Sequence, residues 1–407
     1  MRTVAELLLA MVALYPIVTA ALWMTGGVLF RVLDERRPVA DPERWPGVTV
    51  LIPAYNEEAV IATSVRAALA SDYPELEVLV LDDGSTDATE AAARAAAEGD
   101  PRCEVVRDPV NRGKSEQLNA GFARASHALV LVTDADAHLH PRAIRHLVRR
   151  MGASPLLAAV AGSPYVTNRN GFLCGLQVLE AAAIIGLIRC TQSMTGRVGT
   201  VAGVIGLFDR DRVIAVGGYD GQMATEDIDL TWRLLQAGWH STYEPRALVG
   251  MEVPSTLSAL WAQRKRWARG QGEVLHRHLR SVSRWRNRRM WLLSIESVAS
   301  LLWVVGLAAS LVLAVLSKLF SAEIALVEFG LAWGVAISVV ATVQLLVALT
   351  LRYRFDRWGM RALLIGPIYP VLFWLFSAAA ALHSQIGALV RGPRKQRVVW
   401  DIPREIV

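Results

Sequence analysis

The chain has 407 residues, 53% of them hydrophobic, and a formal net charge of +6. Its positive mean hydropathy excludes an ordinary pair of soluble domains. The basic residues gather beside apolar segments (Arg31, Arg36 and Arg37; Arg284 to Arg289; Arg352 to Arg361; Arg391 to Arg397), a pattern of membrane topology and anionic lipid rather than nucleic acid. Cys103, Cys174 and Cys190 form neither a metal pattern nor a disulfide framework, which suits a reducing compartment.

Residues 4–30 carry Glu6 as their single charge and read as an uncleaved membrane anchor, with Arg31, Arg36 and Arg37 holding its end in the cytoplasm. The β-rich run 48–56 is closed by Pro53 and predicts a buried strand, followed by a helix to Ala70. A second strand, Glu77–Leu81, stops at Asp82-Asp83-Gly84-Ser85-Thr86-Asp87, turn chemistry that leads into an Ala-rich helix over 88–98. A third strand, Glu104–Arg107, leads through Gly113-Lys114 into a helix ending near Arg124. A fourth, Ala128–Thr133, runs into Asp134-Ala135-Asp136. This alternation predicts an α/β fold with a mostly parallel sheet. Ligands bind beyond the carboxyl ends of such strands, where every polar cluster just named falls.

Residues 172–190 predict an apolar helix interrupted by Glu180 and Arg189, placed flat on the membrane or against the domain. The segment 198–208 is apolar and punctuated by glycine. A helix over Glu226–Ala237 ends at Gly238, with Thr225 expected to cap its start. Leu257, Leu260 and Trp261, then Gln263, Arg266 and Trp267, share helical faces and predict amphipathic helices at the membrane interface. Segments 290–317, 324–351 and 362–390 are long enough to span. The last contains Gly366-Pro367 and Pro370, so a re-entrant or broken path is expected there, with a cytoplasmic tail. The expected domains are thus an N-terminal span (1–30), a cytoplasmic domain (31–250), interfacial helices (251–289), a C-terminal membrane region (290–390) and a basic tail (391–407).

Asp134-x-Asp136 at a strand end suits a hard divalent cation bound with substrate phosphates, although two acids in a loop also make an ordinary solvated turn. Lys114 at a helix start suits a phosphate, or is an exposed lysine. Thr225-Glu226-Asp227 suits both helix capping and a general base. Amide, guanidinium and indole at Gln263, Arg266 and Trp267 suit a pyrophosphate and a stacked sugar, or lipid contact for the last two.

Taken in order, Pro53-x-Tyr55-Asn56-Glu57, Asp82-Asp83-Gly84-Ser85, Gly113-Lys114, Asp134-x-Asp136, Thr225-Glu226-Asp227 and Gln263-x-x-Arg266-Trp267 resemble the membrane-embedded family-2 glycosyltransferases, the group of cellulose, chitin and hyaluronan synthases. Ile184–Ile188 with Thr191-Gln192, Thr225–Asp229, Tyr243–Leu248, Pro370–Trp374 and Lys395–Trp400 look like the bacterial poly-β-1,6-N-acetylglucosamine synthases of biofilm matrix. Two departures stand out. One apolar segment precedes the domain where some members have more, and the tail reads Asp401-Ile402-Pro403-Arg404 where the family often has Ser-Pro followed by Arg-Gly.

The resemblance implies a GT-A type, Rossmann-like domain in the cytoplasm, joined to a multi-pass region of the bacterial cell membrane. It implies an inverting, processive transferase that uses UDP-N-acetylglucosamine and Mg2+ or Mn2+ to extend and export a β-linked, 1,6-joined polysaccharide. Tyr55, Glu57 and Asp83 would contact uridine, with Lys114 near the nucleotide. Asp134 and Asp136 would hold the diphosphate and metal. Asp227 would be the base beside Glu226. Gln263 and Arg266 would bind pyrophosphate, while Trp267, Thr225 and Gly203 would meet the acceptor. A related synthase with another donor or linkage, and a non-catalytic nucleotide-binding membrane protein, are the competing expectations. The resemblance leaves open a small membrane partner subunit and a cyclic dinucleotide, for which no recognisable binding domain is present.

Overall fold

The structure, a computed structural model, describes residues 2–37, 39–319 and 326–395. The tail strings Arg397–Trp400 and Asp401–Arg404 therefore lie outside the described residues. In chain order the elements are α1 (Arg2–Leu29), β1 (Val48–Ala54), α2 (Ile61–Leu69), β2 (Leu76–Asp82), α3 (Thr89–Ala97), β3 (Cys103–Arg107) and α4 (Lys114–Arg124). Next come β4 (Leu129–Val132), β5 (His138–Leu139), α5 (Ala143–Met151), β6 (Leu157–Val166), α6 (Phe172–Ala183), α7 (Arg189–Met194), β7 (Gly206–Asp209), α8 (Arg210–Ala215), α9 (Glu226–Gln236) and β8 (His240–Met251). The chain continues through α10 (Leu257–Val282), α11 (Trp291–Leu319), α12 (Leu326–Arg352) and α13 (Leu375–Arg391).

One sheet of order β3-β2-β1-β4-β7-β6-β8-β5 carries the domain. Its first four strands are parallel, with Val50 opposite Val78 on one side and Leu131 on the other. β7 runs antiparallel to both β4 and β6, and β8 is parallel to β6. Every residue of β1 is buried, as expected for a strand covered on both faces. Alternation along β1 divides the core. Val48, Val50 and Ile52 join a cluster with Ile61, Val65, Ile144 and Leu147, while Leu51 joins one with Leu118, Phe122, Phe208 and Leu230. Phe30, just past α1, belongs to the second cluster and lies 6.1 Å from Tyr243 between ring centroids. The leading apolar helix is thereby packed into the domain.

Among the described residues, five helical stretches are long and apolar enough to cross a membrane: Leu8–Asp34, Phe172–Met194, Trp285–Leu316, Trp333–Arg352 and Pro370–Arg391. The second is more continuous than the sequence suggested, because a π-helical turn at Ile184–Ile188 joins α6 to α7. It packs on β6, α1 and α12 and buries most of its length. β6 precedes it and β7 follows it, and these two strands pair in one sheet.

Both ends of the stretch after α12 are tied to the domain. Arg352 donates to Ser163 Oγ at 3.2 Å and to the Pro164 carbonyl at 3.0 Å. At the far end, His276 Nδ1 lies 2.7 Å from the Leu389 carbonyl, and Arg394 N donates to the Gln222 carbonyl at 3.3 Å. Between them come a 3-10 helix, Trp358–Ile365, and a π turn, Pro370–Trp374. The break falls between these, around Gly366-Pro367. α10 lies along α13, with Leu260 buried and the ring of Trp261 5.3 Å from that of Phe376. Of Leu257, Leu260 and Trp261, whose spacing predicted the interfacial helix, Leu257 alone is exposed. α13 covers the face of the other two.

Candidate active site

The loops after β1 and β2 are stitched together before any ligand arrives. Asn56 adopts φ +54°, and its side-chain oxygen accepts from Thr86 N at 2.9 Å. Glu57 N donates to Thr89 Oγ1 at 2.7 Å. Glu57 is buried and Tyr55 half-buried at the end of the same strand.

Asp83 is fully buried and organises the next loop. Its Oδ1 accepts from Arg112 N and Gln117 Nε2, both at 2.8 Å, and its Oδ2 accepts from Gly113 N at 2.7 Å. Burial pushes its pKa up despite these three donors. Gly113 holds φ +92°, a conformation other residues rarely adopt, so the chain can turn from this brace into α4. Lys114 is thereby delivered at the helix start, with Nζ 2.5 Å from Oδ1 of Asp134 at the end of β4. Asp136 is half-buried one turn on. Gly203 faces the pair; a Cβ there would stand 3.0 Å from Lys114 Nζ and 3.4 Å from Asp134 Oδ1. The sequence assigned Gly203 to the acceptor end, and the structure puts it beside these two groups.

Glu226 and Asp227 open α9, and Asp227 Oδ1 accepts from Ile228 N at 2.9 Å. Burial raises both carboxyl pKa values, and Lys114 and Arg266 oppose the rise. Burial also works against the charge on Lys114. Asp134, Glu226 and Asp227 nevertheless hold its pKa above the ordinary lysine value. Lys114, Asp134, Glu226, Asp227 and Arg266 are thus coupled electrostatically at one site, assembled from α4, α9, α10 and the end of β4.

Thr225 departs from its expected capping role. Its side chain makes no cap hydrogen bond, and its buried Oγ1 has no partner. It packs against Gly270 of α10, where a Cβ would come 2.2 Å from Oγ1. On α10, Arg266 and Trp267 are exposed, and the buried Oε1 of Gln263 has no partner. Trp267 is covered on one side by the Arg264 guanidinium, 4.3 Å from the ring centroid.

Sequence reasoning missed the residues that hold this assembly. Arg264 makes a paired contact to Glu180 of α6, 2.6 Å at each oxygen. Asp229, His278 and Glu273 join α9 to α10. An acid inside an apolar run was the available signal for Glu180, and the string Thr225–Asp229 for Asp229; Arg264, His278 and Glu273 carried none.

The family model "Glycosyltransferase like family 2" matches residues 46–270. The poly-β-1,6-N-acetyl-D-glucosamine synthase of Staphylococcus epidermidis is 31% identical over 398 residues, covering 96% of each chain. The synthase of the same name from Staphylococcus aureus strain COL is 32% identical over 403 residues, again 96% of each. Among solved structures, the mannosyltransferase PcManGT from Pyrobaculum calidifontis, in complex with GDP-Man and Mn2+, aligns with a TM-score of 0.62. It covers 95% of this chain and 99% of its own at 19% identity, a likeness of fold, which is of the GT-A type. With the family matched over more than half its length and relatives above 30% identity along nearly all of it, the chain belongs to glycosyltransferase family 2.

Proposed function

We propose that this chain polymerises N-acetylglucosamine from UDP-N-acetylglucosamine into a β-1,6-linked polymer and passes it across the bacterial cell membrane. The observation that carries the reading is a half-buried carboxylate pair, Glu226 and Asp227, set at a helix start against the cations of Lys114 and Arg266. Likeness to the staphylococcal synthases over 96% of the chain supports the donor and the linkage.

An acceptor hydroxyl is a weak nucleophile at neutral pH. Asp227, made more basic by burial, takes its proton as the oxygen attacks the anomeric carbon. The bond to UDP breaks on the opposite side, and its electron pair leaves with the diphosphate. Lys114, Arg266 and Gln263 receive that charge. One base facing one leaving-group clamp gives a single displacement with inversion, from an α-linked donor to a β-linked product.

Asp134 and Asp136 are hard oxygen donors, and the Lys114 ammonium already sits on Asp134, so the position accepts positive charge. No group of three or more His, Cys, Asp or Glu side chains suited to a metal gathers among the described residues. That fits magnesium or manganese, which complete their shells with phosphate oxygens and water. Bound there, the cation would neutralise the diphosphate. Tyr55 and Glu57 would meet the uridine, with Asp83 holding the loop that presents Lys114. Trp267 and Thr225 would line the path of the acceptor, with Gly203 leaving room beside Lys114 and Asp134.

Four helical stretches would enter the bilayer. Phe172–Met194 would not cross, because strands on either side of it share one sheet. The segment 353–391 begins and ends on the domain, so it would dip into the membrane and return, leaving residue 394 on the cytoplasmic side. Its irregular turns would be tolerated there because α6 and α12 pack against one side of them.

The test is UDP release from UDP-N-acetylglucosamine by purified protein. Asp227→Asn is expected to lower the rate by about 10²-fold or more, the scale of losing a general base. Equal release by wild type and variant would refute the assignment.

A further inference from the structure

The base and the leaving-group clamp sit on different helices, α9 and α10, and a buried polar pin joins the two. Asp229, one turn into α9, is fully buried. Its Oδ1 lies 2.8 Å from His278 Nε2 and 3.2 Å from Arg277 Nη1, and its Oδ2 lies 2.8 Å from Arg233 Nε. Burial would raise its pKa, but His278, Arg233 and Arg277 more than offset this and bring it down to about 2.

The rest of the network fixes the imidazole. Gln236 Nε2 lies 2.8 Å from His278 Nδ1, and Gln236 Oε1 accepts from Ser281 Oγ at 3.0 Å. The amide therefore donates to Nδ1, which leaves the proton on Nε2 to be donated to Asp229. One turn earlier on α10, Glu273 Oε2 accepts from Ala224 N at 2.8 Å, two residues before the carboxylate pair. Arg277 also reaches Asp220 at 2.7 Å. The face of α10 that carries Glu273, Arg277 and His278 therefore holds both the approach to α9 and its first turn. The same helix carries Gln263, Arg266 and Trp267.

We infer that the Asp229–His278 pair, with Glu273, sets the separation between Asp227 and the Arg266 clamp, making His278 a positioning residue for transfer. This rests on the proposed roles of Asp227 and Arg266. His278 is buried and reaches Asp229 rather than the cleft. Its contribution is to geometry at the moment of reaction, where small misplacements are costly.

The experiment uses full-length protein in detergent, with UDP release as the assay and thermal unfolding as a fold control. His278→Ala is expected to lower kcat at least tenfold, with KM for UDP-N-acetylglucosamine changed less than threefold. His278→Gln, whose amide can donate to Asp229 from the position of Nε2, is expected to recover kcat to within threefold of wild type. The inference is overturned if His278→Ala keeps kcat within twofold. It is also overturned if KM rises as far as kcat falls, if Gln rescues no better than Ala, or if both variants fail to fold. Asp227→Asn, run beside them, separates the failures. An inactive Asp227→Asn with an unaffected His278→Ala sinks this inference alone, and a fully active Asp227→Asn sinks the reading beneath it.

Discussion

The ammonium of Lys114 rests 2.5 Å from Oδ1 of Asp134, so the site holds a cation of its own against three carboxylates, one after β4 and two at the start of α9. Lys114→Met is expected to lower turnover by about 10²-fold, in line with loss of a preorganised charge at a leaving group. It is also expected to move the acid limb of the rate profile. As the proposed base, Asp227 must be ionised to accept a proton, and burial raises its pKa while Lys114 lowers it. Activity therefore falls as pH drops through a value above the ordinary aspartate range. Without Lys114 that limb lies at still higher pH. A pH profile of UDP release for both proteins checks the shift.

Gly270 sets how closely α10 approaches the carboxylate pair. A methyl there meets Thr225 at 2.2 Å from Oγ1 and 2.7 Å from Cβ, and this buried β-branched side chain has little room to turn. Gly270→Ala is expected to cost about 1–3 kcal/mol by overpacking and to reduce kcat. Thr225→Ala in the same chain should recover most of the stability. Thermal unfolding of the single and double variants decides it.

Much of the first half of the domain was legible because local signals coincide there. β1 to β4 are apolar runs closed by turn residues, and their ends carry the acids and the lysine. The rest depends on contacts distant in sequence. The antiparallel placement of β7 between β4 and β6 follows from pairings across the chain and leaves no local mark on a glycine-punctuated segment. Thr225 has a strong cap preference, yet its side chain fills the space that Gly270 leaves on α10 instead. Leu260 and Trp261 have the spacing of an amphipathic stripe, and α13 packs against that face.

The Glu180–Arg264 pair lies deep between α6 and α10, with side chains only 16% and 7% exposed. Arg264→Met leaves a buried carboxylate without its partner and is expected to cost about 3–5 kcal/mol. Glu180→Met with Arg264→Met should cost less than Arg264→Met alone, since no buried charge remains. Thermal unfolding in detergent reads the order. A double variant less stable than the single would count against the burial argument.

The path of residues 353–391 can be read from sidedness. In a chain whose three cysteines are replaced by serine, Arg394→Cys should be labelled by an impermeant maleimide from the cytoplasmic face, in inverted vesicles but not in intact cells. Labelling of intact cells would mean that the last segment crosses the membrane and would overturn the re-entrant path.

The central claim, β-1,6 polymerisation of N-acetylglucosamine with Asp227 as base, is tested most directly by the product. Purified protein given radiolabelled UDP-N-acetylglucosamine and Mg2+ should make a polymer that a β-1,6-specific hexosaminidase degrades and chitinase and cellulase leave intact, with none made by Asp227→Asn. A chitinase- or cellulase-sensitive product, single-sugar addition only, or polymer from the Asp227→Asn chain would contradict it.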